Sequence, residues 1–435
     1  MSRALNALAL GAASLLALAS SAPAMAQNVA VTGVTLATGD GSEPIANGAV
    51  VIANGKVVYA GPAAGMPAVA TPLVEAAPGS WASPGLFATV TTLGLSDVSA
   101  VSESNDTRPR EAKFSAALDV APAINPSSQH IAVHRAAGIT RAATMTIPAG
   151  EIFGGQGAII DLGADADAVV RARAFQSVAM GEYGARIAGG SRTATYVALD
   201  NALHEAGAYA KGNWNGANAL LTRADAEALG PVVAGRQPLY VAVERASDIR
   251  TVLGLKRKYP ALDLVLVGAS EGWLVAREIA AAGIPVIADG LDDLPNNFEE
   301  LGSTQSNIGR MARAGVRVAI NASAMENPRN LNQYAGNLVG LTRVPGADGL
   351  SWGKAFAAIS SVPAAIGGMG GKAGVLAPGA MGDLVIWDGD PLEVGSTPVK
   401  VYIDGVEQPL DNHQSRLRDR YRDLDESNLP KAYDW

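Results

Sequence analysis

Imidazole and thiolate, the side chains that most often hold transition metals, are scarce in this chain. There are four histidines, His130, His134, His204 and His413, and no cysteine. Thiolate catalysis, thiolate metal sites and disulfides are therefore excluded. His130 and His134 lie i, i+4 in Ser128-Gln129-His130-Ile131-Ala132-Val133-His134-Arg135, a spacing that puts both on one helix face as in zinc-binding helices. The glutamate such helices carry beside the first histidine is replaced by Ile131. The pair therefore also reads as partly exposed groups on an outer helix, and whether it binds an ion is open. His204 and His413 are isolated and read as surface or satisfied-core groups.

Carboxylates that follow short apolar runs are the better pocket candidates. Glu244, Glu271 and Asp289 each come just after such a run, where the ends of parallel strands build the mouth of a barrel. Two carboxylates within about 5–9 Å of each other could support acid/base hydrolysis of the glycosidase kind. Each could instead cap a helix N-terminus, the stronger reading for Glu271. Gln156, in Gly154-Gly155-Gln156-Gly157-Ala158, either lines the same mouth or belongs to a turn that needs glycine. Gly367-Gly368-Met369-Gly370-Gly371-Lys372-Ala373 has the texture of a phosphate loop. With Ile366 in the first glycine slot and Ala373 in the Ser/Thr slot, it reads as a connector.

The elements that must position these residues fall into two kinds. Val29–Leu36, Gly48–Ala53 and Lys56–Ala60 are short β-type runs, the last two joined by Asn54-Gly55, a strong two-residue hairpin signal. The same texture returns in Ala380–Asp388 and Val399–Ile403, followed by Asp404-Gly405. Between them lie apolar strands Leu239–Val243, Leu262–Val267, Ile284–Ile287 and Val316–Ile320, separated by intervals that each have room for one helix. Glu271–Ala282 has helical periodicity, with Trp273, Ala276, Ile279 and Ala280 on one face. Repeated β-α organisation predicts an α/β fold with a parallel sheet or barrel. No Gly-x-Gly-x-x-Gly follows a strand, so nothing favours a dinucleotide site.

Composition narrows the class further. Residues 1–26 hold one positive residue, Arg3, an Ala/Leu-rich core and Ala24-Met25-Ala26, the pattern of a secretory signal peptide cleaved after Ala26. The mature protein is expected in the periplasm or outside the cell, with no membrane span. Losing Arg3 takes the formal net charge from -8 to -9, which disfavours nucleic acid and anionic membrane as partners. With 48% hydrophobic residues alongside 49 glycines and 24 prolines, the chain reads as globular and loop-rich, not disordered.

Several blocks in order carry a resemblance to the amidohydrolase superfamily, particularly its exported imidazolonepropionase-like branch. Asn54–Gly61 resembles that family's N-terminal hairpin, and Pro84-Gly85-Leu86 the start of its first barrel strand. Ala377–Leu392, which includes Gly382-Asp383-Leu384-Val385-Ile386-Trp387-Asp388, is similar to its C-terminal return into the sandwich. Asn125-Pro126, Gly154–Ala158 and Ala246–Ile249 resemble further blocks of the same branch. The resemblance implies a TIM-type (β/α)8 barrel over 83–373 and a small composite β-sandwich from 27–82 and 374–410. A charged tail, 411–435, follows; its alternating arginines and aspartates read as a solvated helix face with local ion pairs or, alternatively, as a segment that docks on another subunit with Tyr421, Tyr433 and Trp435 as anchors.

The resemblance also implies zinc or another divalent metal, held by histidines and an aspartate, that activates water to hydrolyse C–N bonds. Here the matching slots hold other residues. Val90 and Thr92 fill the His-x-His pair and Ala88 the aspartate slot before it. Ala242 and Gly268 fill two later histidine slots, Ser323, close to Asn321, the final aspartate slot, and Ala185 the slot of a bridging lysine. The expected metal centre is degenerate, and no cofactor is expected. Two functions follow. One is a non-catalytic protein that binds a small molecule or pairs, as a homo-oligomer or with an active relative. The other is a working C–N hydrolase, of cyclic amides or dipeptides, with an atypical site.

Overall fold

The computed structural model describes residues 27–68, 72–322 and 328–422. The expected signal segment, Ser323 and the tail beyond 422 lie outside the described residues. Strands β1 (Val29–Leu36), β2 (Ile45–Ala53), β3 (Lys56–Pro62), β4 (Leu73–Val74) and β5 (Trp81–Pro84) precede the barrel. The barrel sheet contains β6 (Leu86–Thr91), β7 (Ile139–Thr144), β8 (Phe153–Asp161), β9 (Val169–Ala179), β10 (Leu239–Val243), β11 (Leu264–Gly268), β12 (Val286–Ala288) and β13 (Val318–Ile320). Then come β14 (Leu384–Trp387), β15 (Pro398–Ile403) and β16 (Val406–Glu407).

Both ends of the chain share one sheet, ordered β16-β15-β14-β5-β1-β2-β3, with β4 paired to β1. Its β2–β3 hairpin turns on Asn54 (φ 51) and Gly55 (φ 71), both left-handed as a type I′ turn requires. β5 leads through Pro84-Gly85 directly into β6. A Cβ at Gly85 would come within 2.0 Å of Thr140 Oγ1, so only glycine passes between the two sheets.

The barrel sheet runs β6 to β13 in chain order, as a (β/α)8 pattern requires, with one departure. β8 is antiparallel to both β7 and β9. The connections across 145–152 and 162–168 are shorter than the dozen or so residues a parallel crossover needs, so the chain forms two hairpins there. The sheet is nearly closed. Thr89 Oγ1 donates to the Ile320 carbonyl at 3.0 Å, and the backbone of 358–359 bridges the gap by accepting from Ile320 N and Phe87 N at 3.0 and 2.9 Å.

Packing inside the barrel sets the depth of the mouth. Phe87, Phe175, Tyr240, Val265, Ile287 and Ala319 form a buried interior layer. Phe175 and Tyr240 stack with centroids 4.1 Å apart. A Cβ at Gly157 would meet the Phe175 ring at 2.1 Å, so that glycine clears the space the aromatic pair fills. This layer fills the barrel's centre beneath the C-terminal strand ends. The expected helix 271–282 divides into a 3-10 turn, Gly272–Val275, and an α-helix, Ala276–Ala282, closed by left-handed Gly283. Trp273 is drawn off the helical face because its indole N–H donates to the Gly302 carbonyl at 2.8 Å.

Candidate functional site at the barrel mouth

A cavity of about 310 Å³ opens at the C-terminal ends of the barrel strands. Val90, Thr92, Ala242, Glu244, Gly268, Asp289 and Asn321 all line it, so residues spread over more than 200 positions converge as the strand order dictates. Thr91, Met145, Ile147, Pro148, Tyr183, Tyr240 and Val267 complete most of the wall. Met145, Ile147, Pro148 and Tyr183 were not legible as site residues, because they come from connections whose path no periodicity reveals. Tyr183 is fixed there by its hydroxyl, which donates to the Pro148 carbonyl at 2.5 Å.

Val90 ends β6 in an unusual way. The β6–β7 register pairs Ala88 with Ala142 and Thr91 with Thr144, so the first strand carries an extra residue at this point. Val90 has φ 50, a conformation strained for a β-branched residue and found where local structure over-determines it. The simple alternation that would aim positions 90 and 92 inward is broken by this bulge, yet both still reach the cavity.

Gly268 holds the most informative geometry. A Cβ at this position would lie 1.9 Å from Glu244 Oε1 and 2.5 Å from its Cδ. The place of a side chain at the end of β11 is thus taken by the carboxylate from the end of the neighbouring β10. Gly268 has φ 88 and the next residue, Ala269, has φ 51, a turn that brings Ser270 back onto Glu244. Ser270 donates from both N–H and Oγ–H to Glu244 Oε2, at 2.9 and 2.8 Å. Across the mouth, Asn321 Nδ2 donates to Asp289 Oδ1 at 2.6 Å.

Glu244 and Asp289 are nearly surrounded by protein and keep only a little accessible surface. Both are held well above the usual carboxylate range. For Glu244 burial is the main cause, followed by the charge of Asp289; the Ser270 hydrogen bonds pull the other way, and Glu300 adds to the rise. For Asp289 burial again leads, opposed by the Asn321 hydrogen bond and reinforced by Asp292 and Glu300. Among the described residues no cation is a main cause of either shift. Two carboxyls in this setting hold protons more tightly than ordinary ones, because ionising both would place like charges in a largely buried site.

The remaining sequence candidates lie elsewhere. Gln156 is not at the mouth: its side chain accepts from Gln237, which precedes β10, the opposite end of that strand from Glu244. The antiparallel course of β8 is the cause, since it carries the glycine-rich block away from the C-terminal rim. Glu271 caps rather than lines. Its Oε2 accepts from Ala246 N at 2.9 Å, the start of helix Ala246–Lys258, and its Oε1 from Gly302 N at 3.0 Å. Ala88 is fully buried in the core, and Ala185 sits in helix Gly181–Ile187, away from the cavity wall.

His130 and His134 occupy one helix, Gln129–Ala136, and line a second, more polar cavity of about 400 Å³ with Thr92, Ser96, Asn105 and Thr107. His134 is only 3% exposed, deeper than an outer helix face implies. Its Nδ1 pairs with the His130 carbonyl at 2.6 Å, and burial first of all lowers its pKa to about 4. It is a neutral imidazole. His204 and His413 are exposed.

The scaffold is a barrel with its cavity at the C-terminal strand ends, joined to a sheet made from both chain ends. An Amidohydrolase family model matches residues 275–407. Amidohydrolase TasK of Hapsidospora irregularis is 45% identical over 60 residues, 14% of this chain and 6% of that protein; the match thus spans only a small fraction of that relative's length. An amidohydrolase from Thermotoga maritima MSB8 has the same fold, with a TM-score of 0.75 at 21% identity over 87% of this chain and 99% of that one. An adenosine deaminase from Xanthomonas campestris, solved with zinc bound, gives 0.52 at 15% identity over 92% and 98%. Residues 275–407 thus match the Amidohydrolase family, and the chain as a whole shares the fold of these solved structures.

The divalent metal that this likeness implies does not fit the residues present. Val90, Ala242 and Gly268 offer no side-chain donor, and the space at Gly268 is filled by Glu244. Thr92 alone supplies a hydroxyl. Among the described residues no cluster of three or more His, Asp, Glu or Cys is arranged to hold a metal ion. What the arrangement can do is enclose a small, largely apolar molecule and present to it one proton-holding carboxyl pair.

Proposed function

We propose that the protein is an exported, non-hydrolytic member of the amidohydrolase superfamily whose barrel mouth binds a small molecule. The observation that carries this is the Glu244 carboxylate lying where a residue-268 side chain would project. A histidine cannot occupy that place without expelling Glu244, so the mouth is built around the carboxyl pair and not around an imidazole set. Support comes also from the enclosed apolar wall, the kind of surface that binding cavities use. Export rests on the composition of residues 1–26, and protein recovered from the periplasm should begin at Gln27. Among the described residues no helix is long and apolar enough to cross a membrane.

The test is direct. Mature protein is exposed to zinc, manganese and iron, analysed for bound metal and assayed on cyclic amides and dipeptides. The expected outcome is no stoichiometric metal and no hydrolysis. Stoichiometric metal with hydrolysis that a chelator abolishes contradicts the proposal. A second function, metal-free C–N hydrolysis by the same carboxyl pair, draws on the raised pKa values of Glu244 and Asp289. Its signature is chelator-resistant hydrolysis lost in Glu244→Gln.

A further inference from the structure

We infer that the barrel mouth selects a ligand carrying a positively charged nitrogen, an alkyl- or arylammonium of modest size, and rejects one carrying a carboxylate. This rests on the binding function proposed above and names the chemistry it serves. Glu244 Oε2 is occupied by Ser270, and Asp289 Oδ1 by Asn321. Among the described residues no hydrogen bond occupies the second oxygen of either carboxyl, and both residues line the cavity. Among the described residues no lysine or arginine lines that cavity.

The charges that shift the pair are of one sign, while Arg108 borders the wall through the Tyr183 hydroxyl, to which it donates at 3.4 Å. Asp292 and Glu300, from the connection after β12, push Asp289 up, and Glu300 does the same to Glu244. Tyr334, packed near Gly290, feels Asp292 and Asp289 as negative neighbours. An anionic ligand approaching the carboxyl pair meets repulsion. An ammonium, by contrast, supplies a cation at the pair, allows both carboxyls to ionise and forms charge-assisted hydrogen bonds there. The rest of the wall, with Val90, Met145, Ile147, Pro148 and Val267, suits the apolar body of such a molecule, and the rings of Tyr183 and Tyr240 border the same space.

Ligand protonation and site protonation are then linked. Affinity for a permanent cation rises with pH as the carboxyl pair gives up its protons, then levels once both are ionised.

The experiment compares three probes of similar shape at pH 8 by calorimetry on the mature protein: benzylammonium, benzyl alcohol and benzoate. Benzylammonium is expected to bind at least about tenfold more tightly than benzyl alcohol, a difference of about 1.4 kcal/mol, with benzoate weakest. Glu244→Gln and, separately, Asp289→Asn should each shrink the amine-over-alcohol preference while alcohol binding persists. Equal binding of amine and alcohol, or a preference unchanged in both variants, overturns the inference and leaves the binding function standing. If none of the three binds, the binding function itself fails and the inference with it.

Discussion

Two carboxylate sites in this molecule, one at the seam between barrel and terminal sheet and one at the barrel mouth, are wired in opposite ways. At the seam Asp383 accepts from Arg141 Nε and Nη2 at 2.8 and 3.1 Å, from Asp404 N at 3.0 Å and from Thr140 Oγ1 at 3.2 Å. Arg141 is 1% exposed and also binds Asp404 at 2.7 Å. Burial alone would raise Asp383, but the charge and hydrogen bonds of Arg141 outweigh it and hold the carboxyl below its usual range. At the mouth Glu244 and Asp289 have hydroxyl, amide and backbone donors but no cation, and they are raised. Where a buried charge serves only to join two sheets, it is fully paired. Where it is left short of a partner inside a cavity, the missing partner is the part the proposed ligand would supply.

The comparison can be broken first at the seam. Arg141→Ala leaves Asp383 buried without its cation and should cost about 3–5 kcal/mol in urea unfolding. Asp404→Asn, at a side chain 49% exposed, should cost far less. A seam that tolerates Arg141→Ala within about 1 kcal/mol would show that the pairing is not what joins the sheets.

At the mouth the next largest effect belongs to Gly268→Ala. It places a Cβ against Glu244 Oε1 at a backbone angle that disfavours side chains, and about 1–3 kcal/mol should be lost. In a Glu244→Ala background the clash is absent and only the backbone cost remains, so the two substitutions should be non-additive. Additivity would mean that the Gly268 space is not reserved for the carboxylate.

The smallest effect is in the pH dependence of stability, and its signs differ between the two sites. Asp383, lowered in the folded state, contributes stability above its unfolded pKa that is lost as pH falls through its folded value. Glu244 and Asp289, raised in the folded state, contribute protonation-linked stability present below their unfolded pKa. That contribution is lost as pH rises through their folded values. Urea midpoints measured across this upper window should therefore fall with rising pH, and Glu244→Gln should flatten the decline.

Much of this was written in local patterns. Asn54-Gly55 specified its hairpin because the turn's dihedrals exclude most other residues, and the apolar runs of β10 to β13 placed Ala242, Glu244, Gly268, Asp289 and Asn321 at one rim. The sequence also showed that Val90, Thr92, Ala242 and Gly268 cannot supply imidazole. It did not show why position 268 is glycine, because the atom that excludes a side chain belongs to Glu244 on another strand. Gln156 was misplaced because the hairpins on either side of β8 reverse its direction, which glycine content alone does not reveal. Tyr183 and Met145 escaped notice for a similar reason: their positions depend on how connections fold over the mouth.

The contrast between seam and mouth is tested most directly by carboxyl carbon-13 NMR of Asp383, Glu244 and Asp289 in the folded protein across pH. Asp383 should stay ionised well into the acid range, while Glu244 and Asp289 should keep a proton above the ordinary carboxylate range and release it on binding benzylammonium. If the two mouth carboxyls ionise together in the ordinary range and do not respond to the cation, the mouth is not the uncompensated site described here.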